Sequence, residues 1–334
     1  MNERTKGLIP SGLVYIADNI ISRGNILGAA KGTGANWAKD LNLPKERETI
    51  FFAGCGYQYT SGLESLMSLI RKMDKSVIGA EVPMSLAGYQ KKLGVDLAGM
   101  YRKVFAKDKS DAQPLRDAVK VLDSLGIEFG YLGDEEPCCG GPLYYFGLQK
   151  EFVRNAQETY KKLKSFGVKR IISIVPSCTY ALRDLFPNCV EGYDLEVKHW
   201  SQVVLENING LQFPKQTKVT YHDPCQLVRY LGVLEEPRQI LRSIKGIELV
   251  EPEWTKREWA TCCGGGGGFE AVFPELSQIL AMNRVSELIE TGAQIIITQC
   301  PGCIMQLKGG LKELKIDGVK VLDLAQIVAM AMEV

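Results

Sequence analysis

Histidine is scarce in this sequence: only His199 and His222 occur in 334 residues. Zinc or copper sites built from several imidazoles are therefore not expected. The net charge is +1, which gives no general attraction to nucleic acid or to acidic membranes. The apolar stretch 8–21 is interrupted by Pro10 and Asp18, and no run of about 20 apolar residues occurs, so neither a signal peptide nor a membrane span is predicted. A length of 334 residues suggests about two globular domains.

Cysteine, by contrast, is abundant: there are ten, and they fall into two similar sets. Each set surrounds a Cys-Cys-Gly tripeptide, Cys138-Cys139-Gly140 in the first and Cys262-Cys263-Gly264 in the second. A disulfide scaffold is a poor interpretation, because such scaffolds are usually short secreted chains and adjacent cysteines rarely bridge each other. We therefore interpret both sets as metal ligands.

The second set has five cysteines. Cys225 is followed after 36 residues by Cys262-Cys263-Gly264, and after a further 35 residues by Cys300-Pro301-Gly302-Cys303. Five thiols exceed the four ligands of one tetrahedral zinc, whereas iron–sulfur clusters are held by cysteine thiolates. This spacing favours an iron–sulfur cluster.

The first set is one cysteine short, because Val175 occupies the position that corresponds to Cys300. Its remaining members are Cys55, Cys138, Cys139 and Cys178. Four thiolates suit a [4Fe-4S] or a [2Fe-2S] cluster, and they equally suit a structural zinc, so the metal of this set stays open. Cys189, the tenth cysteine, is interpreted as a small buried apolar residue in preference to a substitute ligand.

The same order of elements surrounds both sets. A short buried strand ends in a cysteine at 49–63 and again at 218–233, and a second strand, a polar loop and the Cys-Cys-Gly turn follow at 126–141 and 246–266. A helix is then predicted at about 149–166 and 274–290, before a β-branched strand at 169–178 and 293–303. This order predicts an α/β fold of two tandem, pseudo-symmetric Rossmann-like modules with parallel sheets. The metal sites would lie at the C-terminal ends of the strands.

These repeats predict three regions. Residues 1–48 are expected to form a loosely packed N-terminal arm, 49–210 the first domain, and 211–334 the second. The first domain has a surplus at about 64–120, where apolar residues recur at helical spacing. We interpret this surplus as an inserted helical pair packed on the core, with a lid or a partner-docking surface as the alternative.

The glycine-rich run from Gly264 to Gly268 has two interpretations. At the start of a helix it could cradle a phosphate. It matches neither common nucleotide-binding pattern, however, and the two cysteines at its mouth favour a metal. Glycines here would let backbone amides approach sulfur closely and donate hydrogen bonds that raise a cluster's reduction potential.

The paired pattern C-x36-C-C-G-x35-C-P-x-C resembles the CCG (cysteine-rich) domain family over about residues 20–330. The resemblance includes His222-Asp223-Pro224-Cys225 and Glu236-Pro237-Arg238. This family contains the catalytic B and D subunits of heterodisulfide reductase, iron–sulfur subunits of lactate and glycolate oxidation systems, and subunits of membrane redox complexes. It implies that a noncubane [4Fe-4S] cluster is held by Cys225, Cys262, Cys263, Cys300 and Cys303.

The resemblance implies an oxidoreductase subunit that reduces a disulfide, or oxidises two thiols, at that cluster. His222 would be a proton donor to the leaving thiolate; the alternative is a histidine bonded to the backbone that orients the turn at Pro224. A second hypothesis is an electron relay between a flavoprotein or ferredoxin partner and a quinone-linked complex, without a disulfide substrate. In both hypotheses the cysteine set around Cys138 has a relay or structural role. A metal-stabilised scaffold without redox turnover is disfavoured by the complete second set.

Partners and location follow from the same resemblance. Family members of the D type carry a ferredoxin-like part with C-x2-C-x2-C-x3-C runs, and this sequence has none. Electrons are therefore expected from ferredoxin-like iron–sulfur or flavoprotein subunits of a hetero-oligomeric complex. Thiolate clusters are oxygen-sensitive, so a reducing compartment is expected. We expect a cytoplasmic protein, alone or bound peripherally to a membrane complex.

Overall fold

A computed structural model describes residues 9–30, 32–66 and 112–333 of the chain. Most of the surplus predicted at about 64–120 lies outside the described residues, as do the first eight residues of the predicted arm. The predictions of an inserted helical pair, a lid or a docking surface therefore stay predictions.

The described part of the first half contains three strands, and its elements are α1 (Ser11–Arg23), β1 (Thr49–Phe52), α2 (Gly54–Gln58), α3 (Gln113–Ser124), α4 (Gly141–Tyr145), α5 (Gln149–Ser165), β2 (Arg170–Ser173), α6 (Pro176–Tyr180), β3 (Glu196–His199) and α7 (Trp200–Leu205). Short 3-10 turns lie at Asn36–Ala38, Gly133–Glu135 and Phe186–Asn188, and a π turn lies at Ala181–Leu185.

The second half, described up to residue 333, contains four strands, and its elements are β4 (Gln212–Tyr221), α8 (Glu236–Ser243), β5 (Lys245–Leu249), α9 (Phe269–Val272), α10 (Pro274–Ile289), β6 (Ile295–Thr298), α11 (Pro301–Glu313), β7 (Lys320–Asp323) and α12 (Leu324–Met332). A wide π turn follows Cys225 at Gln226–Tyr230, and a 3-10 turn lies at Arg257–Trp259.

Each half carries a sheet in which the strands run parallel. The first sheet has the order β1-β2-β3, and the second has the order β5-β4-β6-β7. A parallel bridge from Ile50 to Gly130 extends the first sheet at the edge that β5 occupies in the second. The predicted α/β fold with two pseudo-symmetric parallel sheets is confirmed.

The central strands are apolar because helices cover both of their faces. All four residues of β1 are buried, and so are all four of β6. Continuous runs such as Ile-Phe-Phe and Ile-Ile-Ile suit a parallel sheet that is buried on both sides, where an alternating pattern would bury polar side chains. The residues that follow these strands are therefore held at a rigid edge.

The structure adds a further strand and a capped helix to each predicted module. β3 ends at His199 and β7 ends at Asp323, and each side chain accepts a hydrogen bond from a backbone amide two residues later, at 3.3 and 2.8 Å. Gln202 and Gln326 bond back to the capping residue's own amide, at 3.1 and 2.9 Å. The two capping boxes stabilise the starts of α7 and α12.

The two halves share one continuous hydrophobic core. α12 of the second half packs on α3 of the first, and α7 of the first packs on α8 of the second. The indole Nε1 of Trp200 at the start of α7 donates to the carbonyl of Ala118 on α3 at 3.2 Å, which ties this junction further. Each half therefore completes its helical cover with a helix of the other.

The expectation of a loosely packed N-terminal arm is wrong for residues 9–30 and 32–48. Ala17 is 0% and Ile20 is 2% exposed on α1, which lies against α4 of the first half and α9 of the second. Trp37 is also buried, and its ring contacts those of Phe51 and Tyr131. Apolar residues in this segment are packed because they cover surfaces that both halves leave open.

None of the helices within residues 9–30, 32–66 and 112–333 combines the length and the apolar character that crossing a lipid bilayer requires.

Candidate metal centres

All nine predicted ligand cysteines follow strands or turns at one end of the sheets. Cys55 lies in α2, just after β1, and Cys178 lies in α6, just after β2. In the second half, Cys225 follows β4, and Cys300 and Cys303 follow β6. Because the strands are parallel, these C-terminal ends meet along one edge, as the sequence predicts.

The structure brings the five cysteines of the second set together. The sulfur atoms of Cys263 and Cys303 lie 3.2 Å apart. Cys262 is hydrogen-bonded to Cys263, and Cys300 to Cys303. Burial, followed by the charges of the neighbouring Cys300 and Cys263, raises the pKa of Cys225 to about 11. The five cysteines are thus neighbours, with Cys263 and Cys303 the closest pair among the sulfur distances that the structure gives.

The four cysteines of the first set are also neighbours. The Sγ atoms of Cys55 and Cys138 are 3.8 Å apart, and those of Cys139 and Cys178 are 3.2 Å apart. Hydrogen bonds from Cys139 and Cys55 lower the pKa of the Cys138 thiol well below its usual value. Val175 is 4% exposed and packs beside the set, where the second set has Cys300.

A glycine follows each cysteine pair for a steric reason. Gly264 has φ of +86°, and a Cβ there would lie 2.1 Å from the carbonyl oxygen of Ser277 on α10. Gly140 has φ of +69°, and a Cβ there would collide with Asn155 on α5. The amides of these glycines lie 3.3 Å from Cys262 Sγ and 3.5 Å from Cys138 Sγ. The predicted close approach of glycine amides to sulfur is confirmed.

The helix α11 favours thiolate at the second set. Cys300 is its N-cap residue and Cys303 lies in its first turn, so both sulfurs are carried by the positive end of the helix dipole. In the first half only Cys178 has the corresponding place, in α6. The electrostatic support for anionic sulfur is therefore greater at the second set.

The two sets differ in access to solvent. Cys262 is exposed and Cys225 and Cys300 are partly exposed, whereas three of the four first-set cysteines are buried. Trp259, three residues before Cys262, is 75% exposed. The second set is thus more open to solvent than the first, in which Cys55 is partly exposed.

His222 lies beside the second set, but its side chain does not bond to the backbone at Pro224. Its Nδ1 accepts a hydrogen bond from Nε of Arg284 at 3.0 Å, and its ring is hydrogen-bonded to Cys263. One ligand atom each of His222, Cys263 and Cys303 fall within 4.8 Å of one another. Burial lowers the pKa of His222, so the ring is held neutral and serves as a single donor.

Glu136 is a functional residue that the sequence interpretation missed. Its carboxylate accepts from the amides of Ala53 and Gly54 at 2.8 and 2.9 Å, and from Gln58 at 2.7 Å. Burial raises its pKa to about 8. Glu136 thus fixes the turn that carries Cys55. Its position two residues before Cys138 was the signal in the sequence that could have marked it as part of the site.

The two sets adjoin each other across the seam between the halves. A Cβ on Gly56, next to Cys55, would lie 2.6 Å from Pro301, next to Cys300. A second contact crosses the seam where the hydroxyl of Tyr145 donates to Oε1 of Gln226, next to Cys225, at 3.0 Å. Residues that adjoin each set are therefore in contact with the other half.

Cys189 does not join the first set among the contacts that the structure gives. Its Sγ lies 3.5 Å from the carbonyl oxygen of Leu185, within the turn that carries it, and it packs against the core. Burial raises its pKa. These contacts agree with the interpretation of Cys189 as a small apolar residue.

The donor set fits an iron–sulfur cluster. All ten thiols are free, and soft thiolates in groups of four and five suit iron–sulfur ligation. Within the described part of the chain, buried donors that lack a hydrogen-bond partner occur in residues adjoining the second set: Ser277 Oγ, Arg284 Nη2 and Gln299 Nε2. Donors left unsatisfied inside a protein are costly, and the sulfides of a cluster would accept from them.

Comparisons with known proteins agree with this chemistry. The chain is 35% identical over 225 residues to the D-type subunit of the dihydromethanophenazine:CoB--CoM heterodisulfide reductase of Methanosarcina barkeri, a match that covers 64% of this chain and 54% of that protein. It is 33% identical over 227 residues to the EtfAB:quinone oxidoreductase of Syntrophomonas wolfei, covering 64% of this chain and 31% of that protein. The chain thus spans about half the length of the reductase subunit it matches.

A third relative matches along nearly the whole chain. It is a probable membrane-anchored ferredoxin of Chromohalobacter salexigens, 28% identical over 336 residues, covering 98% of this chain and 43% of that protein. Relatives of this chain are thus iron–sulfur proteins and subunits of oxidoreductases.

The cysteine-rich domain family, CCG, matches residues 105–183 and 219–308. The second match contains all five cysteines of the second set, whereas the first begins after Cys55 and contains Cys138, Cys139 and Cys178. With one match on each sheet and on each cysteine pair, this chain belongs to the CCG cysteine-rich domain family.

Proposed function

We propose that this chain is the iron–sulfur subunit of a heterodisulfide reductase-like complex, and that it reduces a disulfide or oxidises two thiols at its second cysteine set. The observation that carries this proposal is the open second set: its five cysteines are neighbours, and Cys262 is exposed. A site with access to solvent can admit a substrate molecule.

The ligands in this proposal are those of the predicted sets. Cys225, Cys262, Cys263, Cys300 and Cys303 would hold a noncubane [4Fe-4S] cluster. Cys55, Cys138, Cys139 and Cys178 would hold a second [4Fe-4S] or a [2Fe-2S] cluster, or a structural zinc. When bound, the cluster of the second cysteine set would supply electrons and an iron that can take up a thiolate sulfur.

The chain's own residues would bind and orient the substrate at the second set. A disulfide that receives two electrons and two protons gives two thiols, and the electrons would come from a partner iron–sulfur or flavoprotein subunit. The adjoining first set would relay them across the seam at Gly56 and Pro301. The side chain of His222 is 1% exposed, which favours a positioning role over the proton-donor role predicted from sequence.

A second candidate function is electron relay without a disulfide substrate. It is supported by the close approach of Gly56 and Pro301, which adjoin the two sets, and by the relatives whose names describe a quinone oxidoreductase and a ferredoxin. In this case the partners would be a flavoprotein or ferredoxin on one side and a quinone-linked complex on the other. In both cases we place the protein in the cytoplasm, bound to partner subunits, with peripheral attachment to a membrane complex as one form.

Anaerobically purified protein tests the cofactor. We expect roughly four to eight iron atoms per chain, as one or two four-iron clusters require. Stoichiometric zinc without iron would contradict both candidate functions.

Electron paramagnetic resonance separates the two functions. The oxidised protein is titrated with candidate thiols, and a paramagnetic state that appears only with thiol supports disulfide chemistry. A spectrum that no thiol alters favours electron relay. The Cys189→Ser variant is the matched control, because it removes a thiol that belongs to neither set, and it should respond as the unaltered protein does.

A further inference from the structure

Arg284 on α10 is a buried cation aimed at the second set. Its exposed fraction is 0%, and its Nε donates to Nδ1 of His222 at 3.0 Å. Its Nη1 donates to the carbonyl of Thr255 at 2.9 Å and to Glu287 at 2.7 Å. These bonds hold the guanidinium in one orientation, and its Nη2 stays buried without a partner among the described residues.

The bond from Arg284 decides where the proton of His222 lies. A guanidinium has only donors and stays charged in proteins, so Nδ1 of His222 must be the acceptor. A neutral imidazole with an accepting Nδ1 carries its proton on Nε2. A ring nitrogen of His222 and the sulfur of Cys263 lie within 4.8 Å of each other, and the Nε2 proton is the one available for a hydrogen bond to that sulfur.

Cys263 is buried in the centre of the second set. Its Sγ lies 3.2 Å from that of Cys303. As a ligand of a cluster this sulfur would be a thiolate, so an N–H donor would have a charge-assisted partner there.

The first half has neither partner at the corresponding positions. Thr159 on α5 lies four residues before Leu163, as Arg284 lies four residues before Leu288, and its hydroxyl donates to the carbonyl of Cys138 at 3.0 Å. Phe52 stands three residues before Cys55, where His222 precedes Cys225. The environments of the two sets therefore differ in charge as well as in cysteine number.

We propose that Arg284 is a positioning residue that raises the reduction potential of the second set by fixing His222 as a hydrogen-bond donor to Cys263. This inference rests on the proposed function, in that the second set holds an iron–sulfur cluster. A donor to a ligand sulfur stabilises the extra negative charge of the reduced state, so its loss makes reduction harder.

The test is potentiometry monitored by electron paramagnetic resonance on the iron-loaded full-length chain. Arg284→Gln and His222→Leu should each lower the reduction equilibrium constant of the second set by about tenfold, which is about 59 mV for one electron. The signal of the first set, in the same molecule, is the internal reference and should not shift. Arg284→Lys keeps the charge and a donor, and it should restore part of the potential.

A double variant shows whether Arg284 acts through His222. If it does, Arg284→Gln has no further effect in the His222→Leu background, because the bond to Cys263 is already lost. Equal and additive shifts would show that the arginine charge acts directly, and would overturn the proposal. So would an unchanged potential in the single variants.

Iron analysis of the same samples separates this inference from the proposed function. Iron-containing wild type with an unmoved potential in the variants overturns the inference alone. Wild type without iron overturns the proposed function and the inference with it. If Arg284→Gln does not fold, Arg284→Met and His222→Phe provide the same comparison, because neither replacement side chain carries a hydrogen-bond donor, and absence of a shift in both overturns the inference.

Discussion

The hydroxyl of Tyr57 donates a hydrogen bond to Oδ2 of Asp323 inside the seam between the two halves. Tyr57 lies two residues after Cys55, and Asp323 caps α12 of the other half. Burial raises the pKa of the Asp323 carboxyl to about 7. The bond thus joins the turn of the first cysteine set to the framework of the second half.

Removing that hydroxyl should weaken the whole chain. We expect Tyr57→Phe to lower the free energy of unfolding by about 1–3 kcal/mol, because the buried carboxyl loses its donor. Urea unfolding of Tyr57→Phe, Asp323→Asn and the double variant measures the coupling, which should be about 0.5–3 kcal/mol. Strictly additive effects would mean that the two side chains do not interact.

Acid should destabilise the protein through His199. Burial, with a smaller contribution from the charge of Arg183, lowers its pKa from 6.5 to about 4. Between these values the unfolded chain binds a proton that the folded chain does not, so stability falls as the pH falls through this window. The loss attributable to His199 is on the order of 3 kcal/mol at pH 4.

Unfolding free energies at several pH values between 4 and 8 measure this loss. His199→Asn keeps an acceptor for the amide of Ser201 but does not titrate. The variant should lose less stability than the wild type on acidification, and parallel curves for the two proteins would contradict the assignment.

Changing Cys300 should affect one set only. Cys300→Ser is expected to abolish or transform the paramagnetic signal of the second set and to leave that of the first intact, because Cys300 contacts Cys303 in the second set. Iron content and spectra of the variant are compared with those of Cys189→Ser. A spectrum identical to the wild type would remove Cys300 from the ligand set.

Restoring the missing thiol should change the first set. Val175 packs beside Cys178, and a Cβ on Gly54 would lie 2.9 Å from Val175 and 3.0 Å from the Cys178 sulfur. Val175→Cys would place a fifth thiol at this point without adding volume. We expect the paramagnetic signal of the first set to move toward that of the second; Val175→Ala, which adds no thiol, is the control and should not show this change.

Gly264 should tolerate no side chain. In Gly264→Ala the Cβ meets the backbone carbonyl of Ser277, which a rotamer change cannot relieve. Gly267 is the matched control, since its φ is +62° and nothing lies within 4 Å of a Cβ there. Gly267→Ala should cost about 1–2 kcal/mol from backbone strain alone, and Gly264→Ala clearly more. Equal thermal stabilities would contradict the close approach.

Periodicity and repeated spacing were sufficient to predict the two parallel sheets and the clustering of the cysteines. The helix predicted at about 149–166 is found at Gln149–Ser165, because its apolar residues and the following Gly167 are local signals. The last strand and helix of each module were missed, although Val197-Lys198-His199-Trp200-Ser201-Gln202 and Val321-Leu322-Asp323-Leu324-Ala325-Gln326 carry the same capping pattern.

The features that could not be predicted from the sequence are contacts between residues far apart in the chain. The bonds of Arg284 to His222 and of Tyr57 to Asp323 join residues 62 and 266 positions apart. No local pattern marks such pairs, since each forms only after both sheets and their helices are in place. The packing of residues 9–30 and 32–48 was mispredicted for the same reason: the surfaces it covers come from both halves.

Helices of each half pack on helices of the other at the seam. The tandem pair, and not the single module, is therefore the unit that folds. A half that is separated from the other would expose the apolar residues of α7 or α12 to water. Severing the linker between the halves should therefore not release two stable pieces.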